Sequence, residues 1–285
     1  GLGWFLIREY LTFERLHMDW WPQLVRFGAP LVPAGLAMYF MNTADRWFVQ
    51  YYHGEEALGI FAVGAKFALL MARGVETFRK AWWPIAMDAM HSEDGPETFR
   101  LISRLYMGLG VASVIILTLL SPWLVRLLTA PEFHSAWPIV GILACQALFY
   151  GFFLIASAGI WKAEKTYLNL YLMGGAAIFG LILNWMLVPA YGGVGAALAT
   201  AITYFGWVVA SMMMSERLWL VSFPVKLFIV QMTVASGLIA WLILTDVTAN
   251  LYLKLASGVA LSIFIASTSV PLSFYSKISK RFKLV

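Results

Sequence analysis

Long apolar runs follow one another along this 285-residue chain, separated by short polar connectors. Eight runs are long enough to cross a bilayer, because ~20 helical residues at ~1.5 Å each cover its ~30 Å hydrocarbon core. They lie at 24–44, 57–80, 104–125, 137–159, 167–188, 193–214, 224–245 and 251–271. The one long polar connector begins His91-Ser92-Glu93-Asp94-Gly95-Pro96-Glu97. Gly95-Pro96 is expected to stop the helix before it and Pro84 to kink that helix earlier. Pro30 and Pro33 are expected to break the ladder of the first span. The glycines at 174, 175, 180, 192, 193 and 195 predict close helix packing in the fifth and sixth spans. The pattern predicts an all-α integral membrane protein with about eight transmembrane helices and no extramembrane domain.

Charges interrupt the second span on one side only. At ~100° per residue, Lys66, Arg73, Glu76 and Lys80 share an arc of roughly 80°, while Ile60, Gly64, Phe67, Met71, Val75, Phe78 and Trp82 form the apolar back. From Lys66 to Lys80 the stripe is ~21 Å long, most of the membrane's apolar thickness. Each charge facing lipid would cost ~2.5–3.5 kcal/mol. A stripe of them therefore predicts a wet or polar interior, such as a translocation path. Glu76 and Lys80 have the spacing of a favourable i,i+4 pair. Asp45 and Arg46, at the end of the first span, read as an interfacial pair or as a contact at the outer mouth.

Composition agrees with a membrane protein. Hydrophobic residues make up 61% and charged residues 12%, and the mean hydropathy is +0.77. The 13 Trp fall largely near span ends, where interfacial belts form. A net charge of +5 would fit nucleic acid, but the positions of the cations explain it better. Fifteen of the twenty Lys and Arg lie at the ends and in alternate connectors, whereas the other connectors hold Arg46, Arg126 and Lys254. Lys66 and Arg73 lie inside a span. The positive-inside rule places the fifteen-charge set, and both ends of this chain, in the cytoplasm. Cys145 lies alone in an apolar run and reads as a core residue. His17, His53, His91 and His134 form no metal-ligand cluster by spacing, and no phosphate-binding glycine loop or nucleophile elbow is present. Glu55-Glu56 reads as a solvated turn. No cofactor, metal or catalytic group is expected. The chain opens Gly1-Leu2-Gly3-Trp4 and reads as part of a longer protein.

Several segments occur in a telling order. Pro30-Leu31-Val32-Pro33 is followed by Asn42-Thr43-Ala44-Asp45-Arg46 and by Leu58-Gly59-Ile60-Phe61-Ala62-Val63-Gly64-Ala65-Lys66. Ala136-Trp137-Pro138, Lys162-Ala163-Glu164-Lys165-Thr166, Leu183-Asn184 and Val188-Pro189-Ala190-Tyr191-Gly192-Gly193 come later. This series, over about residues 20–215, resembles the polysaccharide (O-antigen and capsule) flippases of the multidrug/oligosaccharidyl-lipid/polysaccharide superfamily. The resemblance implies the second six-helix bundle of a two-bundle transporter plus two extra C-terminal spans. Residues 1–23 would be a cytoplasmic connector from a preceding span, 24–215 the bundle, and 216–285 two peripheral spans and a basic tail. The first bundle would be missing from this chain.

The resemblance implies a bacterial or archaeal plasma-membrane flippase acting on a lipid-linked oligosaccharide, with membrane lipid and the missing bundle as partners. Lys66 and Arg73 would meet the diphosphate or acidic sugars, Glu76 and Lys80 would tune them, and Asp45 and Arg46 would line the mouth. Other readings stay open. A cation-coupled drug exporter would call for an acidic stripe. A peptidoglycan-precursor flippase fits the basic stripe equally well. A membrane-embedded polymerase or ligase would need a large outer loop. A structural membrane protein leaves the stripe unexplained.

Overall fold

A computed structural model describes residues 21–244 and 251–269. The amino-terminal connector up to residue 20 and the basic tail from Lys277 to Lys283 lie outside the described residues. The described chain is helical: α1 (Trp21–Gly28), α2 (Leu31–His91), α3 (Gly95–Leu128), a 3₁₀ turn (Pro131–Ala136), α4 (Trp137–Ala156), α5 (Ala158–Lys162), α6 (Tyr167–Leu218), α7 (Val225–Leu244) and α8 (Leu251–Ser269).

Two of these helices are hairpins. At ~1.5 Å per residue, the 61 residues of α2 would stretch ~90 Å if straight, three times the hydrocarbon core. The helix breaks at Gly54 (φ 80°, ψ −173°), a conformation that only glycine takes without strain. We call the arms α2a (31–53) and α2b (55–91). Asn42 of α2a bonds to Gln146 of α4, while Gly64 and Val75 of α2b approach Ile139 and Gly151 of the same helix. Residues some twelve to sixteen positions either side of Gly54 therefore sit at one height, so the chain doubles back there. α6 does the same at Gly192 (φ 55°, ψ −136°). Its arms, α6a (167–191) and α6b (193–218), meet where Gly180 lies 3.0 Å from the Thr203 hydroxyl oxygen, measured from the position a Cβ would take. With α3, α4, α7 and α8, the four arms make eight spans among the described residues.

The turns segregate to two ends. At one, His53 Nε2 bonds to the Val188 carbonyl oxygen (2.8 Å), Gly192 lies beside His53, and Gly59 faces Phe133. At the other, Trp82, Phe99 and Trp219 stack edge to face, Lys162 sits over the Trp219 ring, and the Thr166 hydroxyl donates to the Phe27 carbonyl. The core of the bundle is aromatic, built on Trp82, Phe99, Phe152, Tyr204 and Trp207. α8 packs on α3, where Gly258 receives Leu119 and Gly108 receives Ser269. Gln231 of α7 donates to the Ser269 hydroxyl (2.9 Å).

Several expectations need correction. α2b runs on through Pro84 and ends at His91, with Trp82, Ala86, Ala89 and Met90 buried along its last turns. Gly95-Pro96 opens α3 instead of closing the helix before it, which suits proline in a first turn, where no N–H partner is lost. The break near Pro30 falls between α1 and α2, and Pro33 sits in the first turn of α2. Gly174 and Gly175 face open space, whereas Gly180 and Gly195 make the close approaches.

Candidate functional site

The site starts from how α2 folds over α4. Near the Gly54 turn both arms lie close to α4, and Ile139, Ile142 and Leu143 are buried. One to two turns further on, Gln146, Ala147, Tyr150 and Leu154 are only half-buried. The arms thus diverge from their turn, and α4 forms the floor of a cleft between them.

α2b presents three faces. Gly64, Ala68, Val75 and Trp82 pack inward. The apolar back of the stripe is therefore bundle interior; it does not face lipid. Lys66, Arg73 and Lys80 point the opposite way and are exposed, and none of them makes an ion pair among the described residues. Between these faces, Glu76 and Arg79 turn toward the cleft. Arg79 forks onto Glu76, Nε to Oε2 at 2.8 Å and Nη2 to Oε1 at 2.6 Å, with both side chains about 40% exposed. Glu76 therefore pairs with Arg79, not with Lys80 as the i,i+4 spacing suggested. The i,i+3 geometry wins because the planar guanidinium can meet both carboxylate oxygens at once.

α2a supplies the other wall. Asn42 Oδ1 accepts from Gln146 Nε2 (3.1 Å) and from the Tyr204 hydroxyl (2.9 Å), and its Nδ2 donates to the Met38 carbonyl (2.8 Å). Arg46 follows one turn on and is exposed on the same side. Asp45 is placed differently: it is 6% exposed, and its Oδ1 accepts from the backbone N–H of Arg46 (2.8 Å). Adjacent helical residues diverge by ~100°, so the two side chains separate and form no ion pair. α2a also continues to residue 53, so Asp45 lies two turns inside the helix and not at its end.

The structure thus leaves Lys66, Arg73, Lys80 and Arg46 exposed, puts Glu76 on the flank of the cleft and sets Asp45 inside the bundle. Sequence reading missed Arg79, Gln146, Tyr150 and Tyr204. Uncharged polar groups in otherwise apolar runs were the available signal. Among the described residues no group of His, Cys, Asp and Glu could hold a metal ion. A separate cavity of about 630 Å³ lies between α3, α4, α6b and α7, lined by residues such as Val111, Leu148, Phe205 and Ile239. It carries no charged side chain.

No family profile and no curated protein matches the sequence. The fold is similar to that of a solved structure, the lipid II flippase MurJ in an inward closed conformation, with a TM-score of 0.62 and 18% identity. That likeness covers all of this chain, which spans 60% of the length of the flippase structure. The chain is a multi-pass, all-α membrane protein with the fold of part of that structure.

Proposed function

We propose that this chain is the cargo-facing half of a flippase that moves a polyprenyl-diphosphate-linked oligosaccharide across a bacterial or archaeal plasma membrane for surface polysaccharide synthesis. The observation that carries this reading is the face of Lys66, Arg73 and Lys80. It is exposed and unpaired, and it lies opposite the packed side of a membrane-length helix. Unpaired cations at that depth are tolerated where water or an anionic cargo meets them. A diphosphate is such a cargo, and basic groups along its path lower the barrier to crossing a low-dielectric slab.

A second bundle, packed across the open side of the α2 hairpin, would complete the cavity, and rocking of the two would alternate access. Both ends of this chain would then lie in the cytoplasm, the orientation that the distribution of Lys and Arg favours. On this reading the protein is a transporter that needs no catalytic group.

A second cargo, a peptidoglycan precursor, is favoured by the likeness to a lipid II flippase. The two cargoes share the diphosphate and differ in the saccharide. The complete gene is to be expressed in two bacterial hosts, one deleted for its O-antigen flippase and one depleted of its lipid II flippase. Surface polysaccharide restored in the first, and abolished by Lys66→Glu or Arg73→Glu, is the expected result. Survival of the second host instead would assign the peptidoglycan precursor. Rescue of neither host would count against a flippase.

A further inference from the structure

Phosphate chemistry leaves half of the cleft unexplained. Its cations lie on the open face of α2b and at Arg46, but Gln146 and Tyr150 on its floor and the Glu76–Arg79 pair on its flank are polar without net charge. Gln146 and Tyr150 stand one turn apart on α4, close enough for one ligand to span both. Gln146 is held by Asn42, itself tied to Tyr204 and to the Met38 carbonyl. Gln146 itself is half-buried on the floor of the cleft. Val75, next to Glu76, packs on Gly151, next to Tyr150, which sets the Glu76–Arg79 fork beside the same stretch of α4. The fork is neutral as a pair and about 40% exposed. Its carboxylate keeps unused lone pairs and its guanidinium unused N–H groups.

Resting on the flippase reading above, we infer that Gln146, Tyr150 and the Glu76–Arg79 fork form a saccharide-reading site, distinct from the cationic face, that binds the hydroxyl groups of the cargo's first sugar. The chemistry matches. A pyranose offers adjacent hydroxyls that both donate and accept, which an amide and a carboxylate–guanidinium pair can meet together. Its C–H face suits the negative face of a half-buried aromatic ring. A formally neutral site adds no attraction for phosphate, so the two parts of the cargo are read by two sets of residues. Asn42 acts as a positioning residue: it fixes the Gln146 amide and does not itself meet the sugar.

The test uses the complete purified transporter in detergent and compares binding of undecaprenyl diphosphate with the same lipid carrying one N-acetylglucosamine or one galactose. Two or three added hydrogen bonds predict that at least one sugar tightens binding about tenfold. In Gln146→Leu and Glu76→Gln that gain should fall to about twofold or less. In Lys66→Glu all three lipids should weaken together while the gain persists. Tyr171→Ala, on an exposed apolar face away from the cleft, should keep both. Variants that retain the full sugar gain would overturn the site. A wild type that binds all three lipids equally would overturn it too and leave the flippase reading standing. A wild type that binds none of them would overturn both.

Discussion

The hairpins α2 and α6 turn by the same backbone device and enclose opposite environments. Each reverses at a glycine of positive φ, Gly54 in one and Gly192 in the other, and the two turns meet through the bond from His53 to the Val188 carbonyl. Beyond the turns they part. From residue 167 to 215 the sequence of α6 holds no Asp, Glu, Lys or Arg. Its arms close on small side chains: Gly195, Ala196, Ala197 and Ala199 are buried, and Gly180 faces Thr203. α2 carries Lys66, Arg73, Glu76, Arg79 and Lys80 on one arm and Arg46 on the other, and its arms splay. Small residues let backbones approach and exclude water, while long charged side chains hold a cleft open and need something polar to fill it. One hairpin closes on itself and the other stands open.

The largest expected effect comes from giving the closed hairpin the chemistry of the open one. Ala199→Lys places an unpaired cation where the side chain is fully buried. It should cost about 3 kcal/mol or more and abolish folded protein in detergent size-exclusion profiles. The matching change on the other hairpin, Leu70→Lys on the exposed face of α2b, should leave the profile intact and shift stability by less than ~0.5 kcal/mol. A collapse of both would show that α2b faces lipid. Next in size are the turns. Gly54→Val and Gly192→Val force a β-branched residue into glycine-only backbone and should each cost ~1–3 kcal/mol, read as a lower melting temperature. Smaller still in stability is Arg73→Glu, which should lower the melting temperature only slightly while removing transport. The least effect on folding belongs to Glu76→Gln: the fork is half exposed, so the melting temperature should barely move.

The eight spans were legible in hydropathy because lipid penalises every unsatisfied or charged group, and the periodicity of the charged stripe marked one face of the second span. Depth was less legible. Asp45 looked terminal because the apolar run thins near residue 44, yet packing by Val49 carries the helix on to residue 53. Pairing was less legible again. Glu76 has cations at both i+3 and i+4, and spacing alone favours neither; side-chain geometry chose Arg79. The amide group at Asn42, Gln146 and Tyr204 is spread over more than 160 residues, so only the tertiary fold brings it together.

The central claim is that the open face of α2b lines a water-filled path while the interior of α6 does not. Cys145 is the one cysteine of this chain, and it is replaced by Ala, together with any cysteine in the rest of the transporter, to give a cysteine-free background. Single cysteines at positions 66, 73 and 199 would be challenged in membranes, in the assembled transporter, with a charged thiol reagent. The account predicts fast labelling at 66 and 73 and none at 199. Protection at 66 and 73 equal to that at 199 would contradict it.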